Sequence, residues 1–322
     1  MTQADNASAP KGSGPILAQN VDEEPVASNQ RLHGSWINLT ITVLCIAYTA
    51  FHIGVMNLYP LETWTYRLIH VCGGLLLGFL IYSAVQLPHT APAGARRNPL
   101  DWLFMAVGVG GIGYGFAMVA YAWGGYWLAG IPRPPAFVFA NFGLPLLVGT
   151  LAALAGAWFL PNRDRARIGW ADYALGIASI AVLGYILFNV GPIRLRAGTA
   201  MAQPADYYAA LVGVILILEV TRRVAGLALV AIASIFILYS FAGPYLPGFL
   251  NHRGYEARRF FTYIFTDQGI LSDPVAVSST YIILFITFAA FLQASKVGDY
   301  FVNFAFAAAG RARGGPAKVA VL

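Results

Sequence analysis

The feature that most constrains this chain is a series of apolar runs, each about long enough to cross a lipid bilayer. A transmembrane helix needs roughly 20 mostly apolar residues to span the hydrocarbon core. Because 58% of the residues are hydrophobic and only 11% are charged, such runs cover most of the sequence. They predict about eight spans, at 37–58, 65–87, 100–129, 137–160, 168–190, 206–220, 224–243 and 274–295.

The predicted fold is therefore an all-α polytopic membrane protein, a bundle of several spans and not a barrel. The run 100–129 is long enough to be tilted or broken, whereas 206–220 is short. An alternative for 206–243 is one long bent helix, which would invert the orientation of everything after it. Residues 255–266 place apolar and basic side chains on neighbouring faces, which indicates an amphipathic helix at the membrane interface or else an aromatic belt on a loop.

The charge distribution favours a membrane topology over nucleic-acid binding. The chain has a net charge of +6. Its Lys and Arg residues are more frequent in the loops that are cytoplasmic when the amino terminus is cytoplasmic, which is the pattern of the positive-inside rule. We therefore predict a multi-pass protein with a cytoplasmic amino terminus, whose partners include the lipid bilayer and no nucleic acid.

Composition divides the chain into three parts. Residues 1–34 are small, polar and acidic without apolar periodicity, which predicts a disordered cytoplasmic tail. A polar linker at 191–203 marks the main boundary. It separates a smaller membrane domain, 35–200, from the beginning of a larger one, 201–322.

The cysteines and two of the histidines lie inside predicted spans. Cys45 and Cys72 differ in depth by about 9 Å along their helices, which predicts two unpaired thiols. His52 and His70 are near span ends, and no carboxylate or cysteine shares their spacing. We interpret them as interfacial and predict no metal site.

A glycine-rich run matches the letters of a dinucleotide-binding fingerprint, Gly108-x-Gly110-x-x-Gly113. That fingerprint requires a preceding strand and a helix amino terminus that faces pyrophosphate. Here the glycines lie within an apolar run, and Gly111 and Gly115 add a G-x-x-x-G spacing. The pattern therefore predicts close helix–helix packing and no bound cofactor.

Glu219, Arg222 and Arg223 form the sharpest local cluster of charges. At spacings of three and four on a helix, the carboxylate can meet either guanidinium. One interpretation is a clamp for a substrate carboxylate. The favoured interpretation is a structural anchor at the inner edge of the membrane, with the arginines reaching lipid phosphates.

Ser278, Ser279 and Thr280 place three hydroxyls in succession near the outer end of the last span, after Asp273-Pro274. They could line a polar pathway for an ion or a carboxylate. Alternatively, they could bond back to carbonyls four residues earlier, as hydroxyls in membrane helices often do.

A second candidate for an ion or substrate site is Gly314-Gly315-Pro316. A broken helix could begin there, and secondary transporters bind ions at such interruptions. A plain turn into another helix fits these three residues equally well.

The motifs of the last third occur in an order that resembles the fused membrane permease of TRAP transporters, the "4TM/12TM" type that works with TAXI-class receptors. The resemblance covers about 206–322, is looser over 168–205 and 37–87, and is absent over 90–165. It rests on Leu218-Glu219-x-Thr221-Arg222-Arg223-x-x-Gly226, on Gly269-Ile270 with Pro274 and Val277–Thr280, on Gly314-Gly315-Pro316-Ala317-Lys318, and on Tyr66-Arg67-Leu68-Ile69-His70.

The resemblance implies a permease in the cell inner membrane that imports an organic acid or similar anionic solute. A sodium gradient would drive import, and a soluble periplasmic receptor of the TAXI type would deliver the solute. Residues 35–200 would be the small-subunit-like scaffold, and 201–322 the start of the large-subunit-like transport domain. The reaction is translocation without ATP, so we expect no enzyme.

Members of that family continue well beyond the Gly-Gly-Pro-Ala-Lys element. We therefore expect 201–322 to be an incomplete transport domain, and this chain alone not to transport. The alternative is a truncated, non-transporting membrane scaffold or assembly subunit. A membrane enzyme would need paired acids at bilayer depth, but the acids near the spans are scattered singly, at Asp101, Asp172, Asp206 and Glu219.

Overall fold

The computed structural model describes residues 29–87 and 98–309. Within these ranges the regular secondary structure is helical, and the one β-type contact is an isolated bridge between Gln30 and Tyr82. The predicted all-α fold is therefore confirmed.

The longest connections between the described α-helices are 82–98 and 243–256, and a π turn, Ser278–Ile282, joins α11 to α12. In chain order the α-helices are α1 (Ser35–Asn57), α2 (Thr63–Ile81), α3 (Pro99–Ala129), α4 (Ala136–Ala140), α5 (Gly143–Phe159), α6 (Trp170–Phe188), α7 (Val190–Arg196), α8 (Pro204–Ala225), α9 (Leu227–Ala242), α10 (Ala257–Ile264), α11 (Asp273–Val277), α12 (Ile283–Ala294) and α13 (Val297–Ala309).

Seven helical segments of the described chain are long and apolar enough to cross a membrane, one fewer than predicted. The predicted span 206–220 corresponds to α8, which is not among the seven and carries charged side chains at both ends. The seven segments are Ser35–Asn57, Thr63–Ile81, Pro99–Ala129, Ala136–Phe159, Trp170–Phe188, Leu227–Tyr245 and Asp273–Ala294.

Helices α8 and α9 form an antiparallel hairpin, so the alternative of one long bent helix is wrong. The chain turns at Gly226, whose φ of 86° is readily adopted by glycine. The ring of Phe261 lies 6.0 Å from that of Tyr207 and 5.9 Å from that of Phe241. A continuous helix would separate Tyr207 from Phe241 by about 50 Å, at roughly 1.5 Å per residue.

Helices α2, α3, α5, α6 and α8 pack around one hydrophobic core. Helix α6 lies within it, since Leu175, Ala178 and Tyr185 are fully buried. By contrast, α9 and α12 contribute no buried residues, as lipid-facing helices would. The core joins helices from both sides of the boundary predicted at residue 200, and that boundary stays a prediction.

Close packing of α3 against α5 confirms the prediction made from the glycine pattern. A Cβ atom on Gly111 would lie 2.4 Å from the carbonyl oxygen of Pro145 and 2.9 Å from the Cα of Gly149. At Gly110 and Gly113 a Cβ would meet nothing within 4 Å. The glycines thus divide into those that permit the helix contact and those that face away from it.

Residues 29–34 are ordered against the bundle, so the prediction of disorder is wrong for this part of the tail. The Arg31 amide donates to the Ile81 carbonyl at 3.0 Å, and the Ser83 amide donates to the Asn29 carbonyl at 2.9 Å. These bonds attach the segment to the end of α2, because its backbone groups find partners there. The preceding residues lie outside the described part.

Two smaller predictions are also confirmed. The amphipathic helix predicted over 255–266 is α10, and just after it the Phe265 ring packs against Gly213 of α8. Its place at a membrane interface stays a prediction. Cys45 and Cys72 are both free, and Cys72 is buried.

Candidate functional site

Besides Asp206, which pairs with Arg196 and accepts from Tyr185, buried polar side chains form two larger clusters near opposite ends of the bundle. The first is the Glu219 network, in which α8 meets α5, α6 and the segment before α1. The second is the Ser278 joint, in which α1 and α2 meet the π turn. The Glu219 network comprises Arg31, Trp158, Asp172, Glu219, Arg222 and Arg223, and the Ser278 joint comprises Tyr48, His52, Tyr66, His70, Ser278 and Ser279.

In the Glu219 network the carboxylate of Glu219 is surrounded by donors, and its side chain is only 1% exposed. Oε1 accepts from Nη2 of Arg222 at 2.9 Å and from Nε of Arg223 at 2.7 Å. Oε2 accepts from Nε of Arg222 at 2.9 Å and from the indole of Trp158 at 3.1 Å. The pairing predicted from the spacing is therefore present, with both arginines at once.

A second carboxylate, Asp172 of α6, extends the network. Its Oδ1 accepts from Nη1 of Arg223 at 2.6 Å, and its Oδ2 pairs with Arg31. The Arg223 side chain is completely buried and that of Arg31 nearly so. Burial lowers the pKa of the Arg31 guanidinium, an effect that the Asp172 carboxylate opposes. Three guanidinium groups thus share two carboxylates, and those of Arg31 and Arg223 have little access to water.

This arrangement bears on both interpretations of the arginines. Glu219 and Asp172 already bind Nε and Nη1 of Arg223, and its Nη2, which has no hydrogen-bond partner among the described residues, is buried. Contact of Arg223 with lipid phosphates is excluded by its burial, so that part of the anchor interpretation is wrong. Arg222 is 25% exposed and covers the ring of Trp158 at 5.4 Å. The role of a structural anchor stays a prediction.

Sequence reasoning missed three members of this network. The sequence places Arg31 in the tail that is predicted to be disordered, and Asp172 among scattered acids near span ends. It gives no signal for Trp158. The one available signal was the position of Asp172 in the first turn of α6. The sequence contains nothing that pairs Asp172 with Arg31, because 141 positions separate them.

At the Ser278 joint the three consecutive hydroxyls behave differently. Thr280 donates to the Ala276 carbonyl at 2.7 Å, and Ser279 donates to the same carbonyl at 3.1 Å. Both thus bond back within their own helix, as one of the two alternatives proposed. Ser278 instead has its Oγ 3.1 Å from Nε2 of His70 on α2. Of the three, Ser278 is the hydroxyl that connects two parts of the chain.

The motif Tyr66–His70 supplies the other side of the joint. The Tyr66 hydroxyl donates to the Ser279 carbonyl, and Nη1 of Arg67 donates to the Leu271 carbonyl at 2.6 Å. A π turn interrupts the regular ladder of helical hydrogen bonds. The Tyr66 hydroxyl therefore satisfies a carbonyl at a place where the helix itself is irregular.

The histidines of the joint are in direct contact. His52 Nε2 lies 2.9 Å from His70 Nδ1, and His52 Nδ1 lies 2.7 Å from the Tyr48 carbonyl oxygen. His52 is completely buried among protein side chains, and its placement near the membrane interface stays a prediction. The described residues contain no group of three or more His, Cys, Asp or Glu that could hold a metal ion.

The remaining predicted site residues, Gly314, Gly315 and Pro316, lie outside the described residues. Neither the broken helix nor the plain turn proposed for them is therefore tested, and their role in ion or substrate binding stays a prediction.

Replacing Tyr66 by Phe is expected to destabilise the π turn. It removes the donor to a buried carbonyl, and an unsatisfied buried group costs about 1–3 kcal/mol. Hydrogen–deuterium exchange should accelerate at the amides of Ser278–Ile282. Tyr281→Phe is the matched control, since that side chain lies on the π turn itself but is 63% exposed. Equal exchange in both variants would contradict a role for the Tyr66 hydroxyl.

The fold and the two buried polar clusters define the class: a polytopic, all-α integral membrane protein. Residues 212–322 match the family described as tripartite ATP-independent periplasmic transporter, DctM component. This match covers about a third of the chain and confirms the resemblance to TRAP permeases over that segment. Neither the curated proteins nor the solved structures gave a match.

Proposed function

We propose that this protein is the permease component of a TRAP-type secondary transporter that imports an organic acid or similar anionic solute with a sodium gradient. The observation that carries the proposal is the DctM match over residues 212–322. Seven helical segments of the described residues, each long and apolar enough to cross a membrane, support it. The solute would come from a TAXI-type periplasmic receptor, and the protein would lie in the cell inner membrane with a cytoplasmic amino terminus.

The geometry supports distinct roles for the two polar clusters within this proposal. The Glu219 network connects α8, where the DctM match begins, to α5 and α6, so it would serve as the structural anchor of Glu219, Arg222 and Arg223. The Ser278 joint would connect the α1–α2 hairpin to the segment that follows α10. A pathway role for Ser278, Ser279 and Thr280 would then fall mainly to Ser278.

The test is uptake by proteoliposomes that contain the purified chain. A radiolabelled set of organic anions would be presented with a TAXI-type receptor, under an inward sodium gradient and under an equal potassium gradient. Binding of the receptor to the proteoliposomes would be measured in parallel by co-flotation. Uptake that requires both sodium and the receptor would support the permease function, and it would overturn the expectation that this chain alone does not transport.

A second candidate function is a non-transporting membrane scaffold or assembly subunit. It is favoured by the single core that joins α2, α3, α5, α6 and α8, with the buried acids of the Glu219 network paired to internal arginines. Receptor binding without uptake under either gradient would support this candidate and contradict transport by the chain alone. Neither binding nor uptake would contradict both candidates.

A further inference from the structure

The two histidines of the Ser278 joint, His52 and His70, are hydrogen-bonded to each other inside the bundle. Neither proposed function assigns them a role. His52 is completely buried and His70 is half-buried. His70 follows the start of α2 by seven residues, which places it about 10 Å along that helix. An ionisable side chain within a membrane-spanning helix is uncommon, and such residues often lie on ion or proton pathways.

Hydrogen-bond partners determine which nitrogens carry hydrogen. The Tyr48 carbonyl can only accept, so Nδ1 of His52 must be protonated. In a neutral ring Nε2 of His52 is then an acceptor, and the hydrogen between the rings belongs to Nδ1 of His70. Nε2 of a neutral His70 is consequently an acceptor as well, and it receives the hydroxyl hydrogen of Ser278.

Tyr48 completes the same pattern from the other side. Its hydroxyl donates to the His70 carbonyl at 2.9 Å, and its oxygen also lies 2.9 Å from Nδ1 of His70. Nδ1–H of His70 is thus shared between two acceptors, the Tyr48 oxygen and Nε2 of His52. Every nitrogen of the two rings has a partner. The series of hydrogen bonds has one donor-to-acceptor direction, from the Ser278 hydroxyl through His70 and His52 to the Tyr48 carbonyl.

We propose that His52 and His70 form a buried binding site for a single proton. The proton adds to Nε2 of His70, which then donates to the oxygen of Ser278 instead of accepting from it. A second proton would have to add to Nε2 of His52. That would set two N–H groups against each other between nitrogens 2.9 Å apart, with two positive charges in contact.

No carboxylate contacts either imidazole among the described residues, so no fixed negative charge offsets a second proton. Helices α6 and α8 approach α2 nearer its other end, through Gly176 and Val220. Several titratable or charged groups lie on the elements around the pair. They are Cys45 and Tyr48 from α1, Glu62 from the N-cap of α2, Tyr66, Arg67 and Cys72 from α2, Asp273 from α11, and Tyr281 from the π turn.

Proton binding would be communicated directly to the π turn. Once Nε2 of His70 becomes a donor, the hydroxyl hydrogen of Ser278 is free to bond to the Pro274 carbonyl, four residues earlier. Thr280 already makes the equivalent bond to Ala276. The protonated joint therefore has a different hydrogen-bond pattern at Ser278, the first residue of the π turn. His70 and Ser278 remain partners, but donor and acceptor exchange roles.

The test is nitrogen NMR of histidine-labelled protein in detergent from about pH 8 to about pH 3. The range extends below that of exposed histidines because burial without a facing carboxylate disfavours the charged ring. At the alkaline end we expect both rings to carry hydrogen on Nδ1. On acidification the two rings together should gain one proton. A His70 ring with its hydrogen on Nε2 at the alkaline end, two imidazolium rings, or no proton gained at the acidic end would each overturn the proposal.

Substitution of one histidine gives a second measurement. In His52→Gln the amide oxygen can still accept from Nδ1 of His70, and the remaining ring should gain one proton, the same number as the pair. His252→Gln serves as the comparison, because His252 lies on the connection between α9 and α10 away from the joint; it should leave the titration of the pair unchanged. If the number of protons gained on acidification were lower by one in His52→Gln than in the unsubstituted protein, a shared site would be contradicted.

Discussion

Replacing Asp172 by Asn is expected to destabilise the folded protein by about 3–5 kcal/mol, the usual cost of breaking a buried ion pair by removing one partner. The substitution preserves shape but leaves Arg31 without its carboxylate, at 1% side-chain exposure. Arg223 keeps Glu219 but loses its second carboxylate. The loss is large because the remaining cations have almost no access to water that could solvate them.

Unfolding in mixed detergent, followed by tryptophan fluorescence, would measure this loss. Asp164→Asn is the matched control, since Asp164 pairs with an 82% exposed Arg167 at 3.5 Å. Exposed pairs contribute about 0–1 kcal/mol, so the control should change stability little. Similar losses in both variants would contradict the view that burial makes the Asp172 pairing important.

The double variant Asp172→Asn with Arg31→Gln distinguishes the contribution of the Arg31–Asp172 ion pair from the contributions that each side chain makes by itself. Removing both partners leaves no unpaired charge at residue 31, so the combined loss should be smaller than the sum of the single losses. A strictly additive result would mean that Arg31 and Asp172 stabilise the fold independently. The comparison also tests whether the segment before α1 depends on this ion pair for its attachment.

The sequence was a reliable guide wherever a structural feature depends on residues that are close along the chain. Apolar runs predicted the spanning helices, because covering a bilayer requires a continuous stretch of apolar side chains. The glycine spacing in α3 predicted a close helix contact, and the spacing of Glu219 from Arg222 and Arg223 predicted their pairing. Each of these relations is fixed by the geometry of a single helix.

The remainder of the candidate site depends on which helices become neighbours, and a single sequence does not encode that in its local pattern. Asp172 meets Arg31 only because the segment before α1 runs past the start of α6. His70 meets Ser278 only because α2 packs against the π turn. The charged ends of α8 have the same dependence, since they find partners on neighbouring elements and within the helix, whereas an isolated apolar run would face lipid.

Replacing Gly111 by Ala is expected to destabilise the protein, whereas the same change at the adjacent Gly110 should not. The new methyl group at Gly111 would lie 2.4 Å from the Pro145 carbonyl oxygen and 2.9 Å from the Cα of Gly149. Both neighbours are backbone atoms, so α3 and α5 must move apart. Overpacking of this kind costs about 1–3 kcal/mol and occasionally more.

The control has the opposite expected sign. A methyl group on Gly110 would meet nothing within 4 Å, and alanine is favoured over glycine within a helix by about 0.5–1 kcal/mol. Gly110→Ala should therefore be neutral or stabilising in the same unfolding measurement, although it lies one residue from Gly111. If both variants lost stability equally, the loss would come from any substitution of glycine in this part of α3 and not from the contact with α5. A loss confined to Gly111→Ala would identify the α3–α5 contact as the cause, because the two substitutions differ only in the face of the helix that they change.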